Sequence, residues 1–438
     1  MPTLRPIICP FCFAKFAADT TPFRCTWPAC AKEPDTIYAH AQNAPLTPMG
    51  RVIQPPQRTL LSRVSVPTLI RCERCKHETR QRLCPECHFE LSHDAGLIDE
   101  KVIAIIGGRA TGKTHYIATL GMQLKQVVGR NFHFALMEMG THTQNRWENE
   151  FRKPLYDDRV LLKATQSAAV DATVKAPLLF RLMMRQGAHT RSLNLSFFDT
   201  AGEDMGSLQR MSVQARYITE ADGIIFLLDP LQADNVRARL PGANLPTADA
   251  NARPDRVAVA LRGVFEMQTG LKPEAHIKCP VAFTLSKSDT LLTLPEVAPE
   301  SKLRKSASHF GVVDWSDMQS ESTEVENYVQ EWLGSNFLEF VHQGFSDYAF
   351  FAVSALGSQP TRDNRLAREV DPIRVEDPFL WLLAKLDLVP TKKGRLSWRS
   401  SNFITPLGTT RRQGDTRDSR FAAYHRGLRQ TISSCSMT

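Results

Sequence analysis

Near residue 98 the pattern of apolar and polar positions changes character. Before it lie short mixed stretches broken by cysteine and proline; after it, compact apolar runs alternate with helical periodicities. Val102 to Ile106 is apolar and rich in β-branched residues, the composition of a strand buried on both faces. A helix is predicted over 113–128, closing near Gly129, with Tyr116, Ile117 and Leu120 on one side. Residues 131–165 are harder to assign: Phe132, Phe134 and Leu136 alternate like a strand, Trp147 to Leu155 is helical up to Pro154, and Leu161 to Gln166 leads into a polar loop. Pro177–Met184 and Ser192–Phe198 read as a hairpin turning at 186–189. A helix at about 205–220, a strand Gly223–Leu228, a Pro- and Ala-rich loop at 230–254 and a helix Arg256–Met267 come next. The strand Pro280–Leu285, a polar insertion at 291–323, a helix Val325–Val341, a strand Tyr348–Val353 and a helix Phe379–Leu388 complete the series. That order predicts an α/β fold: a six-stranded, mostly parallel sheet with helices on both faces, and ligands at the carboxyl ends of its strands.

The candidate chemistry falls at those ends. The first strand breaks into Gly107, Gly108, Arg109, Ala110, Thr111, Gly112, Lys113 and Thr114, a GxxxxGK[ST] match with the strand–loop–helix context the motif requires. Backbone N–H groups of such a loop converge on phosphate oxygens at a helix N-terminus. Lys113 would reach the β and γ phosphates and Thr114 would ligate Mg²⁺. The hairpin runs into Asp199-Thr200-Ala201-Gly202-Glu203, which puts Asp199 where a water-mediated Mg²⁺ carboxylate sits and the Gly202 N–H near a γ-phosphate. Later strands deliver Ser286-Lys287-Ser288-Asp289 and Ser354-Ala355-Leu356.

Eight of the ten cysteines precede residue 88. Grouped by proximity they form two sets, Cys9, Cys12, Cys25 and Cys30, then Cys72, Cys75, Cys84 and Cys87. Two close thiol pairs per set is the spacing of a four-cysteine Zn²⁺ site, and each module is too small to fold without one. The expected organisation is a zinc knuckle over 1–31, a Pro-rich linker over 32–68, a zinc ribbon over 69–93, a nucleotide domain over 98–390 and a tail over 391–438, with the two metal modules partly independent. Nothing resembles a secretory leader or a span of ~20 apolar residues, so a cytoplasmic protein is expected.

The net charge of +8 resides in the tail: residues 391–438 carry ten Lys/Arg against two Asp/Glu, and the remaining 390 residues balance. The tail reads as disordered, with binding to an acidic partner, nucleic acid or anionic lipid as the functional alternative. Basic residues around the second cysteine set are offset by Glu73, Glu78 and Glu86, so nucleic-acid binding through it is a secondary expectation.

Taken together, GGRATGKT, DTAG, SKSD and SAL resemble the motifs of Ras-like GTPases of the translation-factor-related class, over about residues 98–390. The fusion to cysteine modules is similar to bacterial conflict-system proteins called double-GTPases. The resemblance implies that Asp289 accepts from guanine N1–H and its 2-amino group, that Lys287 lies over the base, and that the Ala355 N–H, following Ser354, donates to O6. A base-reading carboxylate rejects adenine because it would be left buried and unpaired. Ser286 replaces the usual Asn or Thr, Glu203 replaces the water-orienting glutamine, and Arg109 stands where Ras has glycine. The switch I threonine, a Mg²⁺ ligand and catalytic group alongside Lys113 and Glu203, is Thr165 or Thr173, with Thr165 preferred. The implied function is a GTP/GDP switch that hydrolyses GTP slowly and signals through its zinc ribbons in a bacterial conflict system, with a protein effector or activating partner. The alternatives are an adaptor with negligible turnover and an ATP-dependent P-loop enzyme.

Overall fold

Strands buried on both faces must be apolar along their whole length, and the central strands here are. In the computed structural model, which describes residues 6–42, 45–55, 68–96, 98–163, 177–186, 189–197, 211–240, 245–305, 309–361 and 363–392, every residue of Gly223–Leu228 and Val281–Leu285 is buried. The sheet strands are β1 (Asp99–Gly107), β2 (Phe134–Glu138), β3 (Leu178–Gln186), β4 (His189–Phe197), β5 (Gly223–Leu228), β6 (Val281–Leu285) and β7 (Tyr348–Ala352). Their spatial order is β2-β3-β4-β1-β5-β6-β7. β2, β3 and β4 are antiparallel to one another, and β4, β1, β5, β6 and β7 run parallel.

The principal helices are α1 (Lys113–Phe132), α2 (Met211–Thr219), α3 (Pro254–Thr269), α4 (Trp315–Leu333), α5 (Ser335–Gly344) and α6 (Asp377–Lys385). Alternate residues of β1 enter opposite cores. Ile103 and Ile105 pack with α1, α6 and the aromatic turn Trp147–Phe151. Val102, Ala104 and Ile106 pack with α2, α3, α4 and α5. Gly121 on α1 is required by close approach, because a Cβ there would lie 2.3 Å from the Trp147 ring.

Several expectations are corrected. Among the described residues the sheet has seven strands, not six: the alternation at Phe134 and Leu136 is a true edge strand, paired antiparallel with β3 and packed on α1. Trp147–Asp157 winds as a π-helical stretch that passes through Pro154 rather than ending there. Residues 291–323 are not all insertion, since α4 begins at Trp315, where the Asp314 carboxylate accepts from Asp317 N and caps it. The helix expected over Val325–Val341 breaks at Gly334, whose φ of 92° a side chain would disfavour. Of the basic tail, only Thr391–Lys392 is described, paired with Val313–Asp314; the rest lies outside the described residues.

The largest correction concerns the cysteines. The thiols do not group with their sequence neighbours. Cys9, Cys12, Cys84 and Cys87 converge in one cluster and Cys25, Cys30, Cys72 and Cys75 in another, the second nested inside the first along the chain. Three of the pairs, Cys9-x2-Cys12, Cys72-x2-Cys75 and Cys84-x2-Cys87, form the same turn. In each, the residue after the second cysteine is left-handed (Phe13, Lys76, His88) and donates its N–H back to the first cysteine's carbonyl. Such a turn is local and says nothing of its partner. The partner is chosen by the segments between. Phe23–Arg24 pairs with Val52–Ile53, and Phe23 bridges Arg82. The buried Arg82 guanidinium donates to Ala18 O, Ala95 O and Thr21 Oγ1. Asp35 joins Arg24 and His88 at 2.8 and 2.9 Å. Residues 32–42 and 45–55 are therefore part of the module, with a hairpin Glu33–Pro34/Pro48–Met49 and the helix Thr36–Gln42; of the expected linker, 43–44 and 56–67 lie outside the described residues.

Nor is the module independent of the sheet. Ile8 N donates to Glu100 Oε2 at 3.1 Å, Asp94 pairs with Arg181 of β3 at 2.6 Å, and Glu86 pairs with Arg216 of α2 at 2.7 Å. Burial, assisted by the Asp94 charge, pushes the Glu100 carboxyl up to about 7 from its ordinary 4.5.

Two outcomes are expected. Removing all of Cys9, Cys12, Cys84 and Cys87 by serine substitution should cost one zinc equivalent per chain, whereas grouping by sequence proximity would cost both. The share of stability that Glu100 supplies should fall as pH rises from 4.5 to about 7, because over that range its folded carboxyl still holds a proton that the unfolded chain has released. Thermal melts of the wild type and of Glu100→Gln across the range should show the difference between them shifting against the wild type as pH rises.

Candidate functional site

The parallel ladder sets the site. Gly107 of β1 stands beside Leu227 of β5, Leu228 beside Leu285 of β6, and Leu285 beside Ala352 of β7. Four strands thus end level, and the P-loop, Asp229, the Ser286–Asp289 segment and Ser354–Ala355 leave the sheet along one edge.

The first loop turns tightly. A Cβ on Gly107 would lie 2.7 Å from Leu227 O, and one on Gly108 2.8 Å from Ala252 Cα, so both positions exclude larger residues. Ala110 and Gly112 are left-handed, at φ 57° and 92°. Thr111 Oγ1 donates to Gly108 O, and the buried Lys113 Nζ donates to Gly107 O (3.1 Å) and Gly108 O (2.9 Å). The ammonium therefore lies across its own loop, at the start of α1, where helix N–H groups favour an anion. Thr114 is half-buried in the first turn.

The second group is fixed by buried partners. Lys287, left-handed at φ 56°, places Nζ 2.6 Å from Oδ2 of Asp229, which is fully buried, while Asp229 Oδ1 accepts from Leu231 N. Ser286 Oγ donates to Leu228 O, the last residue of β5, at 3.2 Å. Asp289 Oδ1 accepts from Ser354 Oγ at 2.6 Å, and Ser354 Oγ in turn accepts from Gly357 N. Thr119 Oγ1 of α1 donates to Ala355 O at 3.2 Å. One oxygen of Asp289 is thus held by the chain, leaving the carboxylate oriented and half-buried.

His115 joins the two groups. Its Nε2 accepts from Leu162 N at 3.1 Å, which requires that nitrogen to be unprotonated. Burial, with the Lys287 charge adding to it, holds the imidazole down to about 4. Leu162 is itself anchored, since Leu161 N donates to Asn364 O and Val160 bridges Arg365 beyond the Ser354 loop.

Of the residues singled out from sequence, the structure brings together the P-loop from Gly107 to Thr114, with Lys287, Asp289, Ser354 and Ala355. Asp199, Gly202 and Glu203, and Thr165 with its rival Thr173, lie outside the described residues. Sequence reasoning missed Asp229, His115 and the backing loop at Ala252. Asp229 carried a signal, an acid closing a wholly apolar strand; His115 and Ala252 carried none.

The metal positions fit zinc. The Sγ–Sγ distances Cys9–Cys87, Cys12–Cys84 and Cys25–Cys75 are each 3.6 Å. Sulfurs on a tetrahedron around Zn²⁺ at ~2.3 Å would stand about 3.8 Å apart. A disulfide would require about 2 Å.

A protein of Mycolicibacterium smegmatis described as "Putative ESX-1 scaffolding and assembly protein SaeC" is 29% identical over 315 residues, covering 68% of this chain and 78% of that one. The family model Double-GTPase 2 matches residues 101–354, from within β1 to Ser354, and so takes in all seven strands and the P-loop, Lys287 and Asp289. Since that match extends over more than half of its length, the chain belongs to the Double-GTPase 2 family.

Proposed function

We propose that the chain is a GTP-binding switch that turns over slowly and acts through protein partners. The observation that carries the reading is the pair of fixed groups beside the P-loop: Asp289 oriented by Ser354, and Lys287 held by Asp229. Two carboxylates so placed have different tasks. Asp289 is half-buried with one oxygen held by Ser354, an arrangement suited to paired donors on guanine. Asp229 is sealed and neutralises the lysine that covers the base. Phosphates entering the loop would take Lys113 Nζ from the Gly107 and Gly108 carbonyls and exchange two neutral acceptors for charged ones.

Magnesium, when bound, would neutralise phosphate charge, with Thr114, Asp199 and Thr165 as its ligands. Two zinc ions, held by the nested thiol sets, would supply folding energy to the N-terminal module. Slow turnover is argued from residue types. Glu203 would set a negative charge near the γ-phosphate, and Arg109 brings bulk where Ras-like proteins have none.

A second reading, a nucleotide-dependent scaffold with negligible hydrolysis, draws support from the mycobacterial relative, whose name assigns it scaffolding and assembly. In either case the partner is a protein. No helix among the described residues is long and apolar enough to cross a membrane. A role in bacterial conflict remains part of the proposal through the family resemblance alone.

Binding of fluorescent GTP, GDP and ATP should favour guanine, and Asp289→Asn should weaken guanine binding about 10- to 100-fold, the scale of a lost hydrogen bond to a charged group. Asp229→Asn should weaken GTP and GDP alike by about tenfold, because Lys287 loses its counter-charge. Equal affinity for ATP, unmoved by Asp289→Asn, would remove the guanine assignment. Single-turnover hydrolysis should run well below ~1 s⁻¹; a faster rate would exclude both the slow switch and the scaffold.

A further inference from the structure

The outer thiol set stands against the strand that ends in the P-loop. Phe13, the left-handed residue after Cys12, is fully buried, and its ring centroid lies 5.0 Å from that of Tyr217 on α2. Glu86, between Cys84 and Cys87, pairs with the preceding residue of α2, Arg216. Two turns of one metal cluster thus grip consecutive residues of one helix.

Tyr217 passes that grip to β1. Its hydroxyl donates to Ile103 O (3.1 Å) and accepts from Ile105 N (3.0 Å). Among the described residues, the pairing of β4 with β1 ends at Ser196 and Val102. Past that point it is the tyrosine hydroxyl that partners the backbone of Ile103 and Ile105. Without it a donor and an acceptor of the buried strand would lack this partner, at the cost of desolvating both. Two residues past Ile105 the strand becomes Gly107. The inner set, Cys25, Cys30, Cys72 and Cys75, packs in a separate cluster with Phe23 and Ile53, and is joined to the outer turns through Arg24, Asp35 and His88.

We propose that Tyr217 is a positioning residue of the nucleotide site and that the outer metal site sets where it stands, so that metal and nucleotide stabilise one another's binding. This rests on the nucleotide reading above. It goes beyond it in making one of the two metal ions, and not the other, part of the nucleotide machinery. Thermodynamic linkage requires the effect to be reciprocal: what a metal-held Phe13 does for the P-loop, a filled P-loop does for the metal.

The test is zinc release from the full, zinc-loaded chain to a chelating dye, with and without GDP and Mg²⁺, while nucleotide binding is followed in the same samples. Bound nucleotide should slow one zinc equivalent by between about 5- and 150-fold, the usual range of coupling between sites, and leave the other unchanged. Tyr217→Phe keeps the ring and removes both hydrogen bonds; it should retain two zinc ions and abolish the difference. Should that variant fail to fold, the wild-type comparison decides alone. Release of both ions at unchanged rates despite bound nucleotide, or equal slowing of both, would overturn the proposal. Failure of the wild type to bind guanine nucleotide at all would overturn the nucleotide reading and this one with it.

Discussion

The candidate site depends on a ladder of parallel backbone hydrogen bonds. β1, β5, β6 and β7 are held in register along five residues each, and only that alignment makes their last residues level. A slip of one residue in β6 would carry Lys287 away from Asp229, and since the side-chain period of a strand is two it would also turn Phe283 out of its core. The apolar content of these strands is thus the reason the register is unique. Buried on both faces, they admit no alternative pairing that leaves both cores filled.

That dependence explains how much could be read in advance. Short β-branched runs, each followed by glycine or by a polar motif, made the parallel strands and their order legible, along with the loop from Gly107 to Thr114 and the segments at Lys287 and Ser354. What stayed hidden arises where one segment is completed by another far away. β2 carries only five residues and is secured by pairing with β3, some forty-five positions onward. Gly334 breaks a helix whose periodicity continues across it. His115 looks like any residue in a first helical turn until Leu162 N is set against it.

The thiols fail for the same reason, in sharper form. A Cys-x-x-Cys turn is shaped by its own hydrogen bonds, so its presence is readable, but a tetrahedron needs a second turn and the turn does not encode which. The choice falls to groups without any sequence signature of metal binding, such as Arg82, whose guanidinium holds three backbone and side-chain oxygens from residues 18, 21 and 95. Proximity in sequence was the wrong guide because the loops between the pairs, at 12 and 8 residues, fold back as strands instead of closing on themselves.

Nesting also has a consequence for the order of assembly. During synthesis, the inner set is complete once Cys75 has emerged, while Cys9 and Cys12 must wait for Cys84 and Cys87. Closing the inner site first shortens the loop that the outer site has to close and lowers its entropic cost. The chain therefore favours one sequence of loading, inner ion before outer, with the nascent nucleotide domain still to come when both are in place. The last ion to bind is the one that will face β1.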